Sequence, residues 1–197
     1  MLLSAKNKKT AYSVDEGQDN AYYKVYTKLA NNRIIFVNEI ITKDTASSLS
    51  ALFLYYDNES DDEITMYINT DGGDADAISH IYDVMQMIKS PIKTICLGKA
   101  YSAGSIMLAT GTKGRRYITK NSKVLLHGIQ SSHPFGSGDK KDCDIYYKYL
   151  DFNNKYIMQV LANHTGQKLE KIIKDCSRDL FLDAKQAKEY GVVDHII

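Results

Sequence analysis

The sequence predicts a single α/β domain on a largely parallel sheet, and three observations carry that prediction. Short, continuously apolar runs recur at Arg33 to Val37, Ile64 to Asn69 and Lys93 to Leu97, as expected of strands buried on both faces. Each is followed by a segment whose apolar residues return every three to four positions, the pattern of one helix face. Three successive strand–turn–helix units imply right-handed crossovers between parallel strands.

Residues 1 to 20 are polar, carry mixed charge and show no periodicity, so they read as a mobile arm ahead of a domain spanning 21–197. After the first strand, a helix opening at Thr42 or Asp44 turns Ala46, Leu49, Phe53 and Tyr56 inward and ends in the acidic run Asp57 to Glu63, expected to be a solvated loop. The strand from Ile64 meets the turn Asp71-Gly72-Gly73, and a helix from Asp74 places Ala77, Ile78, Ile81, Val84, Met85 and Ile88 inward until Pro91 stops it. The third strand is expected to turn over Gly98 to Tyr101 into a small apolar helix through Ser102, Ile106 and Ala109. Shorter strands follow at Arg116 to Thr119 and Val124 to His127, then a loop over Gly128 to Gly138. A long helix, about 139–165, carries a tyrosine-rich stripe and is capped by Thr165-Gly166. Its aromatic midpoint suggests a subunit contact, because aromatic side chains concentrate in interface cores. A helix with Leu169, Ile172 and Ile173, a last helix Asp183 to Tyr190 and a closing strand Val192 to Ile197 finish the chain.

Composition narrows the function. With 197 residues, 44% hydrophobic and 25% charged, the chain lies within the ordinary globular range. Twenty-five basic against twenty-four acidic residues leave a net charge of +1, which removes the bulk electrostatic case for nucleic acid or an anionic membrane. No stretch approaches the ~18 apolar residues of a membrane span, and Met1-Leu2-Leu3 gives way at once to Lys6, Lys8 and Lys9, unlike a secretory signal. Three widely spaced cysteines without a CxxC pair argue against a disulfide framework or a thiolate zinc site. The expected compartment is cytoplasmic.

Four pieces of sequence carry chemistry. Ser102 stands between an apolar strand and an apolar helix, at the C-terminal edge of a parallel sheet where open α/β folds put their ligands. A serine at a helix start is an N-cap more often than a nucleophile, so both readings stand. Asp71-Gly72-Gly73 ends the preceding strand, and its glycines free backbone N–H groups to meet an oxyanion together with the amide after Ser102. His127 follows the strand Val124-Leu125-Leu126, where a base can reach a hydroxyl, although a lone histidine there is commonly structural. Asp179 precedes the apolar triplet Leu180-Phe181-Leu182, which suggests a carboxylate drawn inward, either to orient an imidazolium or to pair with Arg178. The chain order Ser, His, Asp differs from those of chymotrypsin, subtilisin and the α/β-hydrolases.

These residues resemble the ClpP family, the proteolytic subunits of the ATP-dependent Clp protease (serine peptidase family S14), from about Ala21 to Ile197. The resemblance is carried by Arg33-Ile34-Ile35-Phe36, Tyr67-Ile68-Asn69 with Gly72-Gly73, Thr94 to Gly98, and Ser102 with Gly104. Further matches are Lys113 to Arg116, Asn121, His127, Thr165-Gly166-Gln167, Arg178-Asp179, and Glu189-Tyr190-Gly191 with Asp194. It implies a ClpP/crotonase-like spiral of strand–turn–helix units with a long handle helix. It further implies serine endopeptidase activity on unfolded proteins, with Ser102 as nucleophile, His127 as general base, Asp179 as its orienting carboxylate, and the amides of Gly73 and Ala103 as oxyanion hole. No metal or organic cofactor is implied.

The implied assembly is a homo-oligomer of two stacked heptameric rings, fed by an AAA+ unfoldase that uses ATP itself. Residues 1–20 become axial pore loops and Tyr67 part of the docking pocket for the unfoldase. The sequence departs from the family pattern at Asp71, at Gly128-Ile129 and at Ser177, where the family has a proline, a Gln-Pro pair and often an acidic residue. Two alternatives remain: a catalytically weak or partner-dependent ring subunit, and an acyl-CoA enzyme of the crotonase fold.

Overall fold

The computed structural model describes residues 21–130 and 139–197; the arm over 1–20 with its pore role, and His133 and Pro134, lie outside the described residues. A helix that periodicity did not single out, α1 (Ala21–Asn31), leads into β1 (Ile34–Val37). Three units follow: α2 (Lys43–Glu59) and β2 (Ile64–Thr70), α3 (Ala75–Met87) and β3 (Ile92–Tyr101), then α4 (Ala103–Ala109). Next come β4 (Arg116–Ile118), β5 (Lys123–Leu126), α5 (Lys140–Thr165), α6 (Leu169–Asp175), β6 (Leu180–Asp183), α7 (Ala184–Tyr190) and β7 (His195–Ile196).

The seven strands form one mixed sheet. Its main path is β1-β2-β3-β4-β7, parallel throughout. β3 serves two partners: Thr94 to Cys96 pair with β4, and Lys99 to Tyr101 pair with β5. β5 in turn pairs antiparallel with β6, the one departure from the parallel prediction, with Leu126 opposite Leu180.

The fork corrects the turn expected over Gly98 to Tyr101, which is strand. Gly98 takes φ +103 and its N–H donates to Ser122 Oγ at 2.7 Å, while the β2–β3 register shifts between Ile68 and Thr70. A glycine can adopt that left-handed backbone at no steric cost, so the irregularity is absorbed and the strand runs on.

Side-chain caps fix where the helices begin. Thr42 Oγ1 accepts the N–H of Thr45, Asp74 that of Ala77, and Asp139 those of Lys141 and Asp142. Gly166 and Gly191 end α5 and α7 in the left-handed conformation. α2, packed on α3, buries Leu49 and Phe53 completely, each worth ~1.5–3 kcal/mol of transfer free energy. All seven residues of α4 are buried.

Of the acidic run expected as a solvated loop, Asp57 to Glu59 form the last turn of α2, while Asp61 and Asp62 are exposed as expected, and the run is anchored at several points. Asp57 accepts the N–H groups of Lys89 and Ser90 at 2.8 Å each, and these bonds, with burial opposing them, hold its carboxyl below the ordinary range. The Arg33 guanidinium reaches the carbonyls of Tyr56, Ser60 and Asp62, and Glu63 pairs with Arg115. The closing strand is shorter than expected, only His195–Ile196.

Arg116 on β4, nearly fully buried, joins several elements. It donates twice to Asp194, at 2.5 and 2.9 Å, and through one terminal nitrogen to the carbonyls of Ala109 and His164. Asp194 also accepts the N–H of Gly114 at 2.7 Å. α5 buries Ile157, Met158, Val160, Leu161, Ala162 and Thr165 towards its C-terminal end, whereas Ile145, Tyr147, Tyr149 and Phe152 on its first half, and Tyr156 beyond them, are exposed. Two tyrosines one heptad apart tie α5 to α3, Tyr149 donating to Asp76 at 2.8 Å and Tyr156 to Asp83 at 3.3 Å.

Candidate active site

Ser102 joins the end of β3 to the start of α4 with φ 53 and ψ −123, one of two described non-glycine residues at positive φ. Such a backbone costs on the order of 1–3 kcal/mol and persists only where its surroundings enforce it. Here the Ser102 N–H donates to Leu125 O at 3.0 Å, and the Ser102 carbonyl is held by Ser105, whose hydroxyl donates to it at 2.6 Å. The hydroxyl of Ser102 makes no capping bond, which removes the N-cap reading.

The turn at Asp71-Gly72-Gly73 packs directly against this bend. Thr70 Oγ1 accepts the N–H of Gly72 at 3.0 Å and donates to Glu39 O at 2.6 Å, which fixes the strand end. A Cβ on Gly72 would lie 2.6 Å from Ser102 Cβ and 3.0 Å from Ala103 N, so only glycine lets the two turns meet. Gly73 is pressed more closely still onto the Ile41 backbone, whose carbonyl oxygen would lie 2.0 Å from a Cβ there. Among the described residues nothing accepts the N–H of Gly73 or of Ala103, and the latter belongs to the first turn of α4, whose donors have no partner in the helix.

Ser102, Gly73, Ala103 and His127 line one cavity of about 910 Å³, to which α5 contributes Tyr146, Leu150 and Ile157. That volume holds several side chains. Its carboxylates are occupied: Asp71 pairs with Lys99 at 2.5 Å, Asp74 caps α3 and Asp76 accepts from Tyr149.

His127, one residue beyond β5, also borders a second cavity, lined by Asp179, Cys176 and Gln130. Its Nδ1 lies 2.5 Å from the carbonyl of the next residue, Gly128. A carbonyl only accepts, so Nδ1 carries a proton here, and in the neutral ring that leaves the lone pair on Nε2. No hydrogen bond joins His127 to Ser102 or to Asp179.

Asp179 corrects the expectation of an inward carboxylate. It is exposed at the head of β6, accepts from Gln130 Nε2 at 3.4 Å, and makes no ion pair with Arg178, which donates to Ser177 O. The pairing of Leu180 with Leu126 explains this position: β6 turns Leu182 into the core and leaves the preceding residue at the cavity mouth.

Cys176, next to these groups, is buried, and burial, aided by the charge of Asp175, pushes its thiol up to about 11. It is therefore protonated at neutral pH and a poor nucleophile. Tyr67 lies on β2, the strand that leads into the Asp71-Gly72-Gly73 turn, half-buried and stacked on Phe36 at 5.0 Å, with Tyr26 edge-on to Phe36. Sequence reasoning missed Asn154, whose Oδ1 accepts the Ile129 N–H at 2.9 Å beside His127. Its only signal was a poor helix former inside a long helix.

No helix among the described residues is long and apolar enough to cross a membrane. A comparison with models of protein families matches the Clp protease family over residues 17–197, all but the first sixteen positions. Its fold is the one described above, and by that match the chain belongs to the Clp protease family and is a ClpP-type peptidase.

Proposed function

We propose that this peptidase is a serine endopeptidase in which Ser102 is the nucleophile, His127 the general base, and the amides of Gly73 and Ala103 the oxyanion hole. The observation that carries the proposal is the strained bend at Ser102, whose hydroxyl and whose neighbouring N–H groups of Gly73 and Ala103 have no hydrogen-bond partner among the described residues. In this mechanism Ser102 Oγ attacks the peptide carbonyl as its proton passes to His127 Nε2, and the oxyanion accepts from Gly73 and Ala103. One such donor is worth ~3 kcal/mol of transition-state stabilisation. The tetrahedral intermediate expels the amine, which takes the proton from Nε2. Water then cleaves the acyl-enzyme by the same route in reverse. Asp179 stabilises the imidazolium once its carboxylate exchanges Gln130 for His127.

The proposal extends to a closed homo-oligomer of two stacked heptameric rings, joined through α5 as the handle, with 21–197 as the peptidase domain and 1–20 as pore loops. An AAA+ unfoldase docking at Tyr67 feeds unfolded polypeptide and spends the ATP, and the work is cytoplasmic. The chemistry of acyl transfer calls on no metal or cofactor from this chain. The exposed apolar face on the first half of α5 supports association.

The test is Ser102→Ala, read by fluorophosphonate labelling, cleavage of a fluorogenic peptide and native mass. Labelling and cleavage should vanish while mass and melting are kept; labelling that persisted would sink the assignment. The missing hydrogen bonds from His127 to Ser102 and Asp179 favour one second reading, a subunit that needs a partner to align its triad. Cleavage only on mixing with a second proteolytic subunit would select it.

A further inference from the structure

The base is held by a residue that lies outside the catalytic set. The N–H of Ile129 donates to Asn154 Oδ1 on α5 at 2.9 Å, and the N–H of Gly128 donates to Cys176 O at 2.8 Å. Among the described residues every peptide is trans, so the Gly128 carbonyl points opposite to the Ile129 N–H of the same planar unit. Fixing one end of that unit fixes the other. Its free end is the carbonyl 2.5 Å from His127 Nδ1.

We propose that Asn154 is a positioning residue for His127: acting through the Gly128–Ile129 peptide, it holds the imidazole with the proton on Nδ1 and the Nε2 lone pair free. The inference rests on the reading of His127 as general base. Two hydrogen bonds in series across one amide polarise each other, so the acceptor on α5 strengthens the carbonyl that the ring meets. Space around the peptide agrees. A Cβ on Gly128 would lie 2.9 Å from Asn154 Oδ1 and 3.4 Å from Cys176 O, so the bridge needs glycine on one side and a short acceptor on the other. The link also makes base geometry depend on the placement of α5, the helix that walls the cavity.

The test compares the full-length assembled protein with Asn154→Leu, Asn154→Asp and Gly128→Ala, each checked by melting and native mass. Peptide cleavage gives kcat and KM separately, and ring ¹⁵N signals of labelled histidine give the tautomer at about pH 8.5, two units above the ordinary histidine value. Asn154→Leu should lower kcat about five- to tenfold with KM unchanged, the factor one neutral hydrogen bond is worth. Its His127 signal should move from the Nδ1–H tautomer to a mixture. Asn154→Asp, an acceptor of the same shape, should recover most of kcat and the tautomer.

Gly128→Ala breaks the same contact from the other side, so it decides the matter if Asn154→Leu fails to fold. A wild-type tautomer and kcat in the folded variants would overturn the role of Asn154 while Ser102-dependent cleavage still stood. Cleavage that survives Ser102→Ala would overturn the peptidase assignment instead. The tautomer readout decides the positioning role whether or not the protein cleaves.

Discussion

Replacing Asp194 by Asn should cost about 3–5 kcal/mol of stability, the usual penalty for stripping the partner from a buried charge. The size follows from the surroundings of Arg116: its side chain is 3% exposed and that of Asp194 15%, so water cannot take over the ion pair. Burial pushes the Asp194 carboxyl up, but the hydrogen bonds and charge of Arg116, with the N–H groups of Arg116 and Gly114, overcome it and hold the group below the ordinary carboxylate range. Asparagine keeps an acceptor and loses the charge, leaving a guanidinium buried without a counterion.

For a chain of this length, 3–5 kcal/mol corresponds to a fall in melting temperature of about 6–20 °C, measured by calorimetry at fixed protein concentration. The pH dependence has a definite sign. A carboxyl with a depressed folded value adds stability above its unfolded value of about 3.9, and this is lost as pH falls from there through the folded value. That acid-limb slope should flatten in Asp194→Asn. Arg116→Met combined with Asp194→Leu should recover little, because the carbonyls of Ala109 and His164 lose their donor and the N–H of Gly114 its acceptor. A melting temperature within about 2 °C of wild type in Asp194→Asn, less than a single kcal/mol would move it, would refute the reasoning.

Gly72→Ala should slow fluorophosphonate labelling of Ser102 by about 100-fold, the usual result of displacing a reacting group by about an ångström, because its Cβ needs the space of Ser102 Cβ and Tyr101 O. Gly114→Ala, whose Cβ meets nothing within 4 Å, is the control and should label at the wild-type rate; equal labelling of the two variants would count against the close packing. Native alkylation near neutral pH should modify Cys143 alone. Burial pushes the Cys96 and Cys176 thiols up to about 12 and about 11, so mass spectrometry finding either of them modified before unfolding would contradict their burial.

Much of the fold was legible because buried parallel strands write themselves as unbroken apolar runs. β1, β2 and the first half of β3 were found that way, and helices α2 and α3 by their period and their caps at Thr42 and Asp74. The second half of β3 was hidden because a glycine within a strand looks like the end of one. The β6 edge strand was hidden because its role depends on β5, over fifty residues earlier, and local sequence does not encode such pairing. The same limit explains Asp179: an apolar triplet after an acid suggests an inward turn, but the strand register decides which neighbours go in. At the site, residue types and chain order pointed to Ser102 and His127, which the structure brings to one cavity. The carbonyl that holds His127 was illegible, since any residue supplies one.

The backbone at Ser102 has a consequence for how the molecule divides stability from use. Glycine occupies φ 53 without the steric cost that a Cβ brings, so folding alone would favour Ser102→Gly over serine. The chain therefore carries a standing thermodynamic debit at its busiest corner, and a screen that rewarded thermostability alone would drift toward erasing the hydroxyl. On the proposed role of Ser102, a gain in melting temperature at this position would come with loss of cleavage.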